Sequence, residues 1–168
     1  MQLQADAAEA LDDLRDLARG IYPPLLADKG LVAALEAQAR RSVVPVELHP
    51  DGAGRYPQEV EAAVYFSVLE ALQNVSKYAN AERAHVRLSE SGGALTFEVE
   101  DDGDGFDAAT AALGTGLQGI ADRLAALDGR VEVRSRPGAG TTVAGRIPLD
   151  ERVAEAEPML VQAEVIAP

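Results

Sequence analysis

The strongest constraint on the fold of this chain is an apolar-rich run that begins after Pro57 and continues to Ala79. Proline fits the first turn of a helix, because its fixed φ suits the helix and its missing N–H is not needed there. Small apolar residues recur along the run at helical spacing, at Val60, Val64, Val68, Ala71 and Val75. This periodicity predicts one helix over residues 57–79 with an apolar stripe that faces a core.

Three polar side chains share another face of this predicted helix. Glu70 and Asn74 are four residues apart and Lys77 lies three further on, which places them on one side of a regular helix. The Asn74 carboxamide oxygen suits Mg²⁺, Lys77 can neutralise a phosphate oxygen, and Glu70 can orient or deprotonate a nucleophile. The alternative interpretation is an ordinary solvated helix face, and the helix alone leaves it open.

Composition limits the class of partner. The chain has 168 residues, with 15 Lys and Arg against 28 Asp and Glu, and a formal charge of −13. This length suits one domain with short appendages, and the charge argues against nucleic acid or an anionic membrane surface as the main partner. The absence of cysteine excludes disulfides and thiolate metal sites and fits a cytoplasmic location. No long apolar run or signal peptide is present, so we expect no membrane contact from this chain itself.

The flanking segments predict further elements. Residues 1–20 form a predicted amphipathic helix whose leucine stripe packs either on a partner helix or on its own domain. Residues 31–41 predict a helix, and residues 43–48 a short strand at a sheet edge, because Pro45 cannot donate to a neighbouring strand. His49 and His85 are interpreted as incidental or structural, since nothing nearby has the spacing of metal ligands.

The second half of the chain predicts two β-hairpins. Residues 84–89 and 94–100 alternate in polarity around a turn at 91–93, and residues 130–134 and 141–147 do so around a turn at 137–140. Residues 150–168 are acidic and lack a clear period, which predicts a mobile tail or a frayed helix.

A glycine-rich segment containing Asp101, Gly103 and Gly105 follows the first of these hairpins. Its simplest interpretation is a turn, because Asp-Gly pairs form turns readily. A calcium loop is excluded, since the twelfth position is not the glutamate that such a loop requires. A third interpretation is the floor of a nucleotide pocket, in which a carboxylate accepts a hydrogen bond from the exocyclic amine of adenine.

A second glycine-rich segment contains Gly114, Gly116 and Gly119 and stands immediately ahead of a predicted helix that ends near Gly129. Glycines in that place let backbone N–H groups approach a phosphate. A dinucleotide-binding motif and a P-loop are excluded by the spacing and by the missing Gly-Lys-Ser/Thr. Thr141, after the last turn, offers a hydroxyl to either a phosphate or the turn backbone.

In this order and spacing, the three polar segments resemble the N box and the two glycine boxes of the histidine-kinase catalytic domain, within the superfamily of gyrase, Hsp90 and MutL. The resemblance runs from about residue 14 to residue 149. Residues 14–31 are similar to the end of the second dimerisation helix and its linker in kinases of the nitrate-sensor and redox-sensor type. The short lid between the glycine boxes is similar to that subfamily as well.

The resemblance implies a two-layer α/β sandwich of the Bergerat type, with a mixed sheet of about five strands and three helices over one face. Residues 1–30 would be the end of a dimerisation helix and its linker, residues 31–149 the catalytic domain, and residues 150–168 an acidic tail. The implied reaction transfers the γ-phosphoryl of ATP to a histidine on a dimerisation domain absent from this chain. The phosphate would pass on to the receiver domain of a response regulator.

The resemblance also implies roles for individual residues. Glu70 and Lys77 would be catalytic, and Asn74 would hold Mg²⁺. The residues implied to bind ATP are Asn74, Tyr78, Asp101, Gly103, Gly105, Gly114, Gly116, Leu117 and Thr141. A homodimer through the N-terminal helix is a further expectation.

Several features depart from the family pattern. Neither His49 nor His85 stands in a phosphoacceptor setting, so we expect no autophosphorylation. Tyr78 occupies the place where the subfamily commonly has histidine, and the lid lacks Lys and Arg. Two alternatives stay open: a stand-alone serine kinase of the anti-sigma type, and a non-catalytic nucleotide-binding interaction module.

Overall fold

The computed structural model describes residues 22–112 and 114–149. The predicted N-terminal helix over 1–20 and the predicted tail over 150–168 lie outside these ranges. In chain order the elements are helices α1 (Pro24–Lys29) and α2 (Leu31–Arg41), strand β1 (Val46–Asp51), helix α3 (Gln58–Asn74), a π-helical turn (Val75–Ala79), strands β2 (Ala84–Ser91) and β3 (Ala94–Asp101), helix α4 (Thr115–Ala125), and strands β4 (Arg130–Ser135) and β5 (Thr141–Pro148).

The five strands form one mixed sheet in the order β1-β2-β3-β5-β4. β1 runs parallel to β2, and the remaining neighbours are antiparallel, with the two predicted hairpins in place. β1 lies at the predicted edge, but it begins at Val46 and continues to Asp51. Its bounds were predicted too early because they follow from pairing with β2, where Val46 lies opposite Ala84 and Asp51 opposite Ser89.

One face of the sheet is apolar and covered by helices. Alternate residues of the central strands are buried there, including Val86, Leu88, Phe97 and Ile147. The predicted apolar stripe, four residues of α3 and Val75 of the π turn, packs against them, and each of the five is at most 7% exposed. This arrangement confirms the two-layer α/β sandwich. No helix in the described ranges is long and apolar enough to cross a membrane.

The other face of the sheet is open and charged. Arg87 on β2 pairs with Glu98 at 3.0 Å and with Glu100 at 2.9 Å, both on β3. Arg134 on β4 reaches Glu98 at 3.0 Å from the opposite side. Such exposed ion pairs contribute little to stability, so the sheet depends on its helix-covered face.

A buried carboxylate fixes the start of the central helix. Glu61 is 1% exposed, and its Oε1 accepts hydrogen bonds from Arg55 Nε and from the Tyr56 backbone N–H, both at 3.1 Å. The Arg55 guanidinium also donates to the Ala27 carbonyl of α1 at 3.3 Å. It passes so close to Gly30 that a side chain there would collide with it. Arg55 therefore ties α1 to the first turn of α3.

Candidate nucleotide site

The site is organised by the C-terminal end of α3. The sequence pattern predicted an unbroken helix to Ala79, whereas the regular helix ends at Asn74 and a π-helical turn takes over. Glu70 and Asn74 are half-buried and keep their α-helical relation. Lys77 is exposed and lies within the π turn, where α-helical spacing no longer fixes its angle to the other two.

The π turn contacts the first glycine loop (residues 101–105) through the backbone carbonyl of Ala79. Ala79 O accepts the Asp104 backbone N–H at 2.8 Å. Gly103 packs directly on the same carbonyl, and any Cβ at that position would collide with it. The loop therefore requires glycine at 103 for close backbone contact. Tyr78, in the same turn, is 77% exposed.

Asp101 is the buried polar group of this loop. It ends β3 between Ala84 of β2 and Thr141 of β5, and it is 7% exposed. Its Oδ1 accepts the Gly103 N–H at 2.9 Å. Burial raises the pKa of the Asp101 carboxyl above its ordinary value, while hydrogen bonds from the Gly103 and Thr141 backbone lower it. An acceptor is thus held away from solvent, where hydrogen bonds are strong.

Its neighbour Asp102 has the opposite environment. Asp102 Oδ1 accepts the backbone N–H groups of Glu82 at 2.8 Å and of Arg83 at 3.0 Å. These hydrogen bonds, that of Arg83 foremost, lower the pKa of the Asp102 carboxyl. Asp102 therefore holds the segment that connects the π turn to β2. Of these two adjacent carboxylates, Asp101 is the one left to bind a ligand.

A hydroxyl network holds the last turn against the first glycine loop. Ser135 Oγ donates to Gly140 O at 3.0 Å and accepts the Phe106 N–H at 2.9 Å. The Thr141 hydroxyl lies 2.8 Å from Ser135 Oγ. Since Ser135 has one hydrogen and gives it to Gly140, Thr141 is the donor in that pair. The Thr141 hydroxyl hydrogen is therefore used within the loop network.

Gly105 joins the same network. It adopts φ 63°, a left-handed conformation that favours glycine, and a side chain there would collide with the carbonyls of Arg136 and Gly140. The Asp104 carbonyl accepts the Gly138 N–H at 2.6 Å. The glycines of the first box are thus needed for loop-to-loop contact.

The second glycine segment begins α4. Gly114 is its N-cap, and Gly116 and Gly119 lie inside the helix, although the sequence predicted them ahead of it. The glycine at 116 is explained by a tertiary contact. A Cβ there would collide with the Glu70 carboxylate, so glycine lets α4 pack closely on α3. Leu117 is half-buried, next to this contact.

Arg123 of α4, which sequence reasoning did not single out, interacts electrostatically with Glu70. Its guanidinium carbon lies 5.9 Å from the centre of the Phe66 ring, and its Nη1 is buried without a hydrogen-bond partner. Burial lowers the pKa of Arg123, and the negative charge of Glu70 counteracts this effect. The only signal in the sequence is its place on α4, because its relation to Glu70 exists only after the two helices pack.

Two concavities lie away from these residues. One, of about 370 Å³, is on the open sheet face around Arg87 and Glu98, and the other, of about 400 Å³, lies beside Tyr22 and Pro57. Neither contains a residue of the glycine loops. The loops, Asp101 and the end of α3 converge elsewhere, and this convergence defines the candidate site.

The fold and these loops define a nucleotide-binding ATPase domain, and comparison with known proteins identifies its family. Residues 59–151 match the model of the histidine kinase-, DNA gyrase B-, and HSP90-like ATPases. The chain belongs to this family. The match confirms the resemblance inferred from the three boxes.

Two curated relatives are similar over most of the chain. The signal transduction histidine-protein kinase/phosphatase DegS of Brevibacillus brevis is 32% identical over 161 residues, covering 84% of this chain and 42% of that protein. The oxygen sensor histidine kinase NreB of Staphylococcus carnosus is 30% identical over 157 residues, covering 89% of this chain and 45% of that protein. The chain thus spans less than half the length of each.

Solved structures share the fold at lower identity. The histidine kinase domain of the Erythrobacter litoralis EL346 blue-light activated histidine kinase gives a TM-score of 0.58 at 23% identity, covering 76% of this chain and 62% of that one. The Acinetobacter baumannii histidine kinase AdeS gives 0.59 at 15% identity, covering 89% and 82%. At these identities the likeness concerns the fold.

Proposed function

We propose that this chain is the ATP-binding catalytic part of a sensor histidine kinase of the nitrate-sensor and redox-sensor type. It transfers the γ-phosphoryl group of ATP to a histidine on a dimerisation domain, for relay to the receiver domain of a response regulator. The observation that carries the proposal is the buried Asp101, which lies where the first glycine loop meets the turn at 137–140 and the π turn, in a chain of this ATPase family.

Asp101 binds the adenine end of the nucleotide in this proposal. A carboxylate offers about four lone pairs, so the hydrogen bonds from Gly103 and Thr141 leave room for the exocyclic amine. A carboxylate cannot donate a hydrogen bond, which favours adenine over guanine at that position. Gly103 and Gly105, whose close packing on neighbouring backbone requires glycine, would form the floor of the pocket.

The phosphate end lies between α3 and the start of α4. Gly114, Gly116 and Leu117 present backbone N–H groups where the helix dipole favours negative charge. Asn74 would hold Mg²⁺ through its carboxamide oxygen, because this hard cation prefers oxygen donors. The ion supplies charge neutralisation for the phosphates when bound. Lys77, exposed at the rim, contributes a further positive charge.

Glu70 assists the transfer itself. The imidazole nitrogen of the incoming histidine forms a bond to the γ-phosphorus while the bond between that phosphorus and the bridging oxygen of ADP breaks. Glu70 accepts the imidazole proton as this occurs. Arg123 positions the Glu70 carboxylate from α4 through its charge. Most of the acceleration comes from positioning and charge neutralisation.

Calorimetric titration of the chain with ADP and a non-hydrolysable ATP analogue, with and without Mg²⁺, tests the binding step. We expect affinity in about the micromolar range, −8 kcal/mol or so, and a marked gain with Mg²⁺. Asn74→Ala should abolish that gain while the chain stays folded. An absence of nucleotide binding would refute the proposal.

Phosphotransfer needs a second experiment. The chain is mixed with labelled ATP, Mg²⁺ and the separate dimerisation domain of a related kinase, and the acid stability of the product is measured. A phosphohistidine, which acid hydrolyses, supports the histidine kinase. An acid-stable phosphoserine would point to a serine kinase of the anti-sigma type, and tight ATP binding without any transfer would point to a non-catalytic module.

A further inference from the structure

A cluster of two imidazoles and one carboxylate lies on the open face of the sheet, across the edge strand β1 and its neighbour β2. Glu47 and His49 stand two residues apart on β1, so they project to the same side. The parallel register places His85 of β2 directly beside Glu47. The pairing thus unites residues 38 positions apart in sequence, which is why linear spacing predicted no metal ligands here.

The distances within this His–His–Glu cluster are close to those of a metal site. Glu47 Oε2 lies 3.5 Å from His85 Nδ1 and 3.8 Å from His49 Nε2. All three ligand atoms lie within 4.8 Å of one another. Donors held 2.0–2.1 Å from a tetrahedral ion are about 3.3–3.4 Å apart, so small side-chain rotations would suffice.

The environment of His85 Nδ1 is a second, independent observation that points to a metal site. Its Nδ1 is out of contact with solvent and has no hydrogen-bond partner, because the Glu47 oxygen at 3.5 Å does not complete a bond. A buried polar atom without a partner is costly and uncommon. The His49 and His85 rings are stacked 5.8 Å apart at 26°, which keeps both imidazoles beside the same carboxylate.

We propose that Glu47, His49 and His85 bind a divalent transition-metal ion, with Zn²⁺ as the expected occupant. Two imidazole nitrogens and a carboxylate oxygen form a donor set that Zn²⁺ favours, with a fourth position left for water. Mg²⁺ prefers oxygen donors and would not compete here. This inference does not depend on the proposed kinase function, because the cluster lies on the opposite face of the sheet from the helices.

Binding would fasten the edge strand. β1 is held to the sheet through β2 alone, and a shared ion would add a side-chain link between the two strands. Because the ion binds only the folded arrangement, Zn²⁺ should raise the melting temperature of the chain.

Direct titration of the untagged, chelator-treated chain with Zn²⁺ tests the site. The sequence has no cysteine and only two histidines, so the background of soft ligands is minimal. We expect one equivalent to bind, with about tenfold or greater weakening in each of His49→Gln, His85→Gln and Glu47→Gln. Glu132→Gln, which removes another exposed carboxylate of the open face, should bind like the wild type.

Unchanged Zn²⁺ affinity in the two histidine variants would overturn the proposal, since the ion would then sit among surface carboxylates. Unchanged affinity in Glu47→Gln would overturn the three-ligand site. NMR of the wild-type chain gives a test that needs no variant: both imidazole side chains should shift together with the first equivalent of Zn²⁺. Shifts confined to other residues would equally refute the site.

Discussion

Two adjacent carboxylates show how single residues divide function from stability. Asp101 is buried, and burial raises the pKa of its carboxyl. Asp102 is exposed, and hydrogen bonds from backbone N–H groups lower the pKa of its carboxyl. A group whose pKa rises on folding costs stability at neutral pH, and one whose pKa falls contributes to it. Retaining Asp101 at a cost is typical of a functional site.

Asp101→Asn should therefore separate binding from stability. The amide resembles the protonated acid, so the free energy of unfolding at neutral pH should equal or exceed that of the wild type. Because the Asp101 pKa is raised on folding, this advantage should shrink as pH falls towards the ordinary value of 3.8. Adenine nucleotides should bind about 1–3 kcal/mol more weakly. Equal affinity would remove Asp101 from the adenine contact.

Asp102→Asn is the matched variant, and its predicted change in stability at neutral pH has the opposite sign. The lowered pKa means that the Asp102 carboxylate stabilises the fold above its ordinary pKa, and that this contribution is lost as pH falls through the lowered folded value. The variant should thus be less stable than the wild type at neutral pH and converge with it in acid. Denaturant unfolding across pH measures both curves. A variant more stable than the wild type at pH 7 would contradict the assignment.

Gly103→Ala tests the close contact between the first glycine loop and the π turn. A methyl group would collide with the Ala79 carbonyl, so the loop must shift and the Asp104 hydrogen bond must lengthen. We expect a loss of about 1–3 kcal/mol in stability and weaker nucleotide binding. Gly54→Ala is the control, because nothing lies within 4 Å of a Cβ there. Similar behaviour of the two variants would refute the contact.

At the scale of elements, the end of α3 links the parts of the site. An α-helix to Ala79 would place its last carbonyls differently, whereas the π turn directs Ala79 O at the Asp104 N–H and ends at Asn80 in the left-handed conformation. Irregular helical turns of this kind occur often at functional sites. The turn thus joins the helix that carries Glu70 and Asn74 to the loop that carries Asp101.

The opposite end of α3 depends on Arg55. Truncation in Arg55→Ala removes the guanidinium and leaves the buried Glu61 carboxylate with the hydrogen bond from the Tyr56 N–H. Such losses cost about 3–5 kcal/mol, and we expect the lower end because the Arg55 side chain is 57% exposed. Arg134→Ala, which removes an exposed ion pair with Glu98, should cost at most about 1 kcal/mol. Equal losses in thermal unfolding would show that Arg55 is not a clamp.

At the scale of the whole molecule, local pattern predicted most of the elements, but not α1, and tertiary contact decided their ends. Helix periodicity located α2 and α3, and turn residues located both hairpins. The bounds of β1, the entry of Gly116 into α4 and the Glu47–His85 pairing could not be predicted, because each depends on a partner distant in sequence. The same holds for Arg123, whose electrostatic interaction with Glu70 arises only from helix packing.

The nucleotide and Zn²⁺ are proposed to bind at different places, so they should protect different backbone amides from exchange. ADP with Mg²⁺ should slow amide exchange at residues 101–106 and 114–119, because the loops proposed to bind it should open less often when it is bound. Zn²⁺ should instead slow exchange in β1 and at the start of β2, where backbone pairing depends on an edge strand. Hydrogen exchange measured by mass spectrometry on the same sample resolves the two regions. Protection by Zn²⁺ confined to the glycine loops would place the ion in the nucleotide site, and the sheet-face cluster would then be an ion pair and nothing more.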